Sequence, residues 1–317
     1  MHIRTGIVRT FTLLAATSLV LVGCGDDDDG GSGGDGDLSG ASLTVGSKEF
    51  NEQVLLGQIA IIALEEAGAD VQDQTGIQGS ENVRAALTSG EIDLYWEYTG
   101  TGYTVHLGHD AADAPTDSAE LFDQVATEDA ENGVVWLDPA EANNTYGIAA
   151  AADTAEELGV ETLTDYAALA NKDPEAASLC AAAEFLDRAD GWPGLEKAYG
   201  FDLPDSQIAE MDEDVIYARL PQSDPCNFGE VFETDGRIVG NDLQVIEDDK
   251  SFFVKYNIAM TVRQETLDQY PAIEDVFAPI SELLTNEAMQ ELNARVDVDE
   301  EFPEDVARDF LEQNDLI

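Results

Sequence analysis

Positive charge is what this chain has least of. Its 317 residues hold 14 lysines and arginines against 67 aspartates and glutamates, a formal net charge of −53. Nucleic acid is thereby excluded as a partner, because neutralising phosphates takes lysine and arginine. Histidine is scarcer still, with His2, His106 and His109 making up the full set. His106 and His109 stand near Asp110 and Asp113, but in so acidic a chain that proximity arises by chance, and no metal site is assigned to it. No Gly-x-Ser-x-Gly elbow follows a predicted strand, and there is no phosphate-cradling loop and no Cys–His pairing beside a nucleophile. Carboxylate pairs are too common to point anywhere. The sequence therefore offers no enzyme and calls for no cofactor. Long apolar runs are missing too. Phe11 to Val22 is the sole candidate, and about 12 residues fall short of a bilayer core of roughly 30 Å.

That short run follows Arg4 and Arg9, the only charges ahead of it, and the order reads as a secretion signal over residues 1–23. It ends in Leu21-Val22-Gly23-Cys24, which resembles the bacterial lipobox, where the cysteine is acylated. The alternative is an ordinary signal peptide with an incidental cysteine. Residues 24–41 read as a flexible acidic tether: Leu38 is the one large apolar side chain there, too little to offset the entropy of ordering. The alternating ligands and distal glutamate of a calcium loop are missing. If Cys24 carries lipid, Cys180 and Cys226 remain as a pair in an oxidising compartment. They are either a disulfide, contributing about 4 kcal/mol in the chain-entropy model, or two buried thiols. The expected location is extracytoplasmic, held to the membrane only through the N-terminal lipid.

Acidity on this scale repels itself at low salt. At molar salt the Debye length falls to about 3 Å and most of that repulsion is screened, so the composition reads as an adaptation to a salt-rich habitat, or else as that of a generally acidic extracellular protein.

The rest of the chain is long enough for two packed lobes. Leu43-Thr44-Val45 reads as a strand. Leu55, Ile59 and Ile62 form one stripe of a helix over 51–67, and Val83, Ala86 and Leu87 belong to a second helix stopped by Gly90. Ile92 to Tyr95 and Val134 to Leu137 read as strands around a helix from Ser118 to Ala130. The alternation continues with strands at Tyr146–Ala150 and Phe228–Phe232, helices at Leu163–Ala170 and Asp214–Leu220, and a strand from Tyr256 to Val262. Pro303 suits the first turn of the last helix. The segment around His106 and His109 reads as a loop. Strands alternating with helices predict an α/β chain with largely parallel sheets.

Two segments stand out, Gly46-Ser47-Lys48-Glu49-Phe50-Asn51-Glu52-Gln53 and Glu97-Tyr98-Thr99-Gly100-Thr101-Gly102. Both follow predicted strands, and ligands of open α/β sheets bind beyond the carboxyl ends of strands. Lys48 precedes a helix whose N-terminus favours anions, and its only fellow lysines are Lys172, Lys197, Lys250 and Lys255. It is a candidate for binding a carboxylate, or else an ordinary surface lysine.

The ordered segments VGSKEFNEQVLLGQIAIIALEEAG, GEIDLYWEYTGTGY, EVFETDGRI, LQVIEDDKSFF and ELNARVDVDEEFPEDVARDFL resemble the glycine betaine/choline-binding proteins of osmoprotectant ABC importers. The resemblance runs from Leu43 to Leu316. It implies a type II periplasmic-binding-protein fold, with two α/β lobes joined by two crossover strands around a ligand cleft. Lobe one would be 42–144 plus 256–317 and lobe two 146–249, which puts Cys180 and Cys226 in the same lobe. A quaternary ammonium offers no N–H, so aromatic faces must recognise it, each worth about 0.5–2 kcal/mol once water is excluded. By the resemblance, Tyr98, Tyr146, Phe232 and Tyr256 form the aromatic box, with Phe232 where relatives often carry tyrosine. Lys48, Thr101 and Arg188 match the carboxylate side. Asn144 stands at a polar hinge position that is often Asp, and Gln53 is a weaker match. Keeping both Lys48 and Arg188 favours betaines over choline. The partners implied are a quaternary-ammonium solute and the importer's permease and ATPase subunits, with the receptor acting as a monomer. An amino acid or another small anion on the same fold is the competing cargo.

Overall fold

The structure is a computed structural model that describes residues 37–187 and 191–317. The leader, Cys24 and Arg188 lie outside the described residues. Leu38, which the sequence reading assigns to the tether, is buried against the first lobe's core, and its N–H donates to the Ala67 carbonyl at 2.7 Å.

Among the described residues ten strands form two five-stranded sheets. In chain order they are β1 Ser42–Lys48, β2 Asp70–Ile77, β3 Leu94–Tyr98, β4 Val134–Trp136 and β5 Tyr146–Ala151, then β6 Leu179–Ala181, β7 Ile208–Glu210, β8 Phe228–Phe232, β9 Leu243–Ile246 and β10 Ile258–Arg263. The first sheet has the order β2-β1-β3-β10-β4 and the second β7-β6-β8-β5-β9. Each is mixed rather than largely parallel, and each owes this to one strand. β10 runs antiparallel to β3 and β4, and β5 runs antiparallel to β8 and β9. Both of these strands receive the chain as it crosses from the other lobe. A crossover of that kind makes no helical return, which is the device that keeps neighbouring strands parallel.

The pleat sends alternate residues to opposite faces, and each sheet is covered on both. In the first, Leu94 and Trp96 join one apolar cluster while Tyr95 joins another. In the second, Ile148 and Ala150 pack on one side and Ala149 with Cys180 on the other. Cys180 is joined to Cys226 by a disulfide with 5.6 Å between the α-carbons. The helix Asn51–Glu66 buries more than the expected stripe, with Leu56, Ala60 and Leu64 also sealed off, because it packs against both the sheet and the helix Pro303–Gln313. Gly90 ends the helix Ser80–Ser89 at a left-handed φ of 82°, where glycine carries no Cβ penalty.

The two crossovers lie side by side. Asn143 and Asn257 form an antiparallel bridge, the Asn144 N–H donates to the Tyr256 carbonyl at 3.1 Å, and Thr145 Oγ1 donates to the Val254 carbonyl at 2.7 Å. Tyr256 therefore belongs to the crossover, and the strand anticipated from it begins two residues later, at Ile258.

Candidate functional site

β1 and β3 are parallel, so Lys48 and Tyr98 end their strands on the same edge of the sheet. Beyond Lys48 the chain turns through Phe50 into the helix Asn51–Glu66. Beyond Tyr98 it runs straight into the turn Thr99–Thr101 and then a wide helical turn, Gly102–His106, where the sequence suggested a loop. Gly100 has a steric reason for its place. A Cβ there would lie 2.6 Å from the Tyr256 ring, so only glycine lets that ring settle on the turn.

The second lobe brings its own rings to the same place. Tyr146 and Phe232 are register partners across β5 and β8, and their ring centroids are 4.8 Å apart. Tyr98, Tyr146, Phe232 and Tyr256 line one cavity of about 250 Å³. Lys48, Thr101 and Asn144 share its wall, as do Phe50 and Ser80. Of the residues singled out from sequence, seven thus meet at one space. Gln53 does not line it. That side chain is fully buried behind the wall, where its Oε1 accepts a 3.3 Å hydrogen bond from the Lys48 N–H.

Lys48 is not a free cation. Its Nζ pairs with the buried Glu97 carboxylate and sits 4.7 Å from the centroid of the Tyr98 ring. The second oxygen of Glu97 accepts from Tyr95 Oη at 2.8 Å and meets His106 Nε2 at 2.7 Å. Burial works to raise the Glu97 carboxyl, but the Lys48 ammonium and the contact with His106 outweigh it and hold the group at about 2. His106 therefore works inside a buried charge network. His109 instead meets Glu128 at 2.6 Å and stacks on Tyr103. Among the described residues no group of three or more His, Cys, Asp or Glu side chains is arranged to hold a metal.

Sequence reasoning missed Phe50, Ser80, Glu52 and Glu97. Phe50 stacks on Tyr98 with centroids 6.2 Å apart. Glu52, in the first turn of its helix, accepts from Tyr98 Oη at 2.7 Å, from Asn144 Nδ2 at 2.9 Å and from Asn293 Nδ2 at 2.7 Å. Burial nevertheless raises its carboxyl above the ordinary value. Only the placement of both glutamates inside the two motifs hinted at a role.

A model of the substrate-binding domain of ABC-type glycine betaine transport systems matches residues 41–313. A glycine-betaine-binding protein of Pseudomonas aeruginosa is 36% identical over 281 residues, which cover 87% of this chain and 89% of the relative. The glycine betaine-binding protein YehZ of Escherichia coli is 35% identical over 277 residues, covering 86% of this chain and 90% of its own. The solved structure of apo YehZ superposes with a TM-score of 0.78 at 33% identity, covering 87% of this chain and 99% of that one. These relatives capture a solute and do not transform it. The two lobes, the ring-lined cavity between them and the match over most of the chain make this a member of the substrate-binding family of ABC-type glycine betaine transport systems.

Proposed function

We propose that this chain is the extracytoplasmic receptor of an ABC importer, binding glycine betaine or a closely related quaternary-ammonium osmoprotectant and closing over it for delivery to the permease. The observation that carries the reading is the convergence of Tyr98, Tyr146, Phe232 and Tyr256, with Phe50, on one cavity of about 250 Å³. Hydrogen bonds cannot recognise a methylated ammonium, and ring faces can. Two of these rings come from β5 and β8 of one lobe, and Tyr98 comes from β3 of the other. A ligand touching both halves stabilises the closed form, and the importer reads closure as loading. The lobes take in 42–144 plus 256–317 and 146–249.

Thr101 and Asn144 supply polar contacts at the cavity wall. Lys48 shares its charge with Glu97, so Arg188 carries the larger part in gripping the carboxylate. Gln53 supports Lys48 from behind. Acylated Cys24 ties the monomeric receptor to the outer face of the membrane. Among the described residues no helix is long and apolar enough to cross a membrane.

Calorimetric titration with glycine betaine tests the reading. The wild type is expected to bind, and Tyr146→Ala to lose about tenfold or more in affinity, as removal of one desolvated ring contact implies. Unchanged affinity in that variant would remove the aromatic box. Absence of any heat or thermal shift with glycine betaine, choline or carnitine would remove the ligand class.

A further inference from the structure

Beside the ring-lined cavity lies a second space of about 620 Å³ with a different lining. Phe50, Asn144 and Phe232 are wall residues of both, so the two spaces adjoin. Carboxylates and amides line the second. Its charged groups are Glu52 and Asp297 from one lobe and Asp235 with Arg237 from the other. Arg237 pairs with Asp235 at 2.6 Å and lies over the Tyr217 ring. Glu52 and Asp297 take their hydrogen bonds from neutral groups, Asp297 from Asn51 Nδ2 at 2.6 Å. Three carboxylates thus face one guanidinium.

The amides add to that imbalance. Asn144 and Asn293 both turn their Nδ2 toward Glu52, which leaves each with a carbonyl oxygen to offer. Neither Oδ1 has a hydrogen-bond partner among the described residues, and Asn293 is only 3% exposed. A buried acceptor without a donor is unfavourable until one arrives. The chamber is therefore rich in acceptors and negative in charge. Phe50 and Phe232 leave part of its wall apolar, but an anionic group is poorly matched to it and a positively charged N–H group is well matched. Burial also holds the carboxyl of Glu52 above its ordinary value, a displacement that a neighbouring cation opposes.

We propose that this chamber receives a cationic N–H side group carried on the ligand's α-carbon, so that the chain discriminates in favour of betaines of basic amino acids. The inference rests on the betaine reading above. The methylated ammonium stays among the rings, and the side group passes Phe50 and Asn144 to reach Glu52, Asn293 and Asp297.

Calorimetry with three probes tests it: glycine betaine, Nα-trimethyl-lysine and Nα-trimethylnorleucine. The last two share the same carbon skeleton and differ by the terminal ammonium. Trimethyl-lysine is expected to bind at least about tenfold tighter than trimethylnorleucine, and that ratio to fall toward one in Asp297→Asn and in Glu52→Gln. Because it is a ratio, a general loss of affinity in either variant cancels. Equal binding of the two long betaines, or a ratio that both variants leave intact, overturns the inference. Binding of glycine betaine with exclusion of trimethyl-lysine also overturns it, while leaving the betaine reading in place. Failure of all three probes removes both.

Discussion

Lys48 and Glu97 are both shut away from water at the cavity wall, with side-chain exposures of 6% and 0%. Breaking such a pair leaves a buried charge uncompensated, which typically costs about 3–5 kcal/mol. Glu97→Gln is therefore expected to destabilise the protein by that order, measured by denaturant unfolding at neutral pH. The pH dependence has a definite sign. The folded carboxyl sits at about 2, below its usual 4.5. Its contribution is fully present above the unfolded value and is lost as pH falls from about 4.5 toward 2. The difference in stability between wild type and Glu97→Gln should thus shrink across that window. A difference that stays constant down to the lowest pH would mean that Glu97 is not held ionised by its neighbours. The same residues show what the sequence leaves hidden. Tyr98 and Thr101 are legible because they stand in one compact motif after a strand. Glu97 stands in that motif too, yet its role depends on Lys48 and His106 meeting it from separate elements.

Among the elements, the helix Asn286–Asp297 has a part that its own pattern does not announce. It belongs to the first lobe's core through Met289 and Leu292, and it also meets the stretch after β8 from the other lobe. Gln290 Nε2 donates to the Glu233 carbonyl at 2.7 Å and Asn293 Nδ2 to the Thr234 carbonyl at 2.7 Å. Gly236 lies flat against the helix, where a Cβ would come within 2.1 Å of the Ala294 nitrogen. Backbone cannot yield as a side-chain tip does, so Gly236→Ala should push the lobes apart. Overpacking of this kind costs about 1–3 kcal/mol. Since the contact joins the two lobes, its loss is expected to weaken glycine betaine binding by about tenfold and to increase the radius of gyration of the ligand-saturated protein in small-angle scattering. Unchanged affinity and scattering would show that this contact has no part in closure. Elements built from dense apolar stretches are readable in advance: the helix Asn51–Glu66 and the strands β5 and β8 fall close to where the sequence puts them. β2 is different. Its residues, Asp70–Ile77, are mostly exposed and polar, and the strand exists because it pairs with β1 along its length. Pairing of that kind leaves no mark on the local pattern.

For the molecule as a whole the deciding quantity is charge. A net charge of −53 on 317 residues opposes the compact state, and unfolding relieves it by spreading the charges out. The Debye length is about 10 Å at 0.1 M salt and about 3 Å at 1 M, so neighbouring surface carboxylates stop feeling one another within that range. The midpoint of thermal unfolding should climb as sodium chloride rises from 0.1 to 1 M, by roughly 2–4 °C for each kcal/mol of repulsion removed. Screening and salt exclusion predict different curves. Screening delivers most of its gain at the low end of the range, whereas strengthened apolar burial continues to grow with concentration. Glycine betaine carries no net charge, and ring contacts in a closed cavity lie largely beyond the reach of screening, so its affinity should change far less than the stability does. A midpoint that stays flat to 1 M would mean that the acidic surface is already compensated, and an affinity that collapses over the same range would mean that long-range attraction, rather than the rings, holds the ligand.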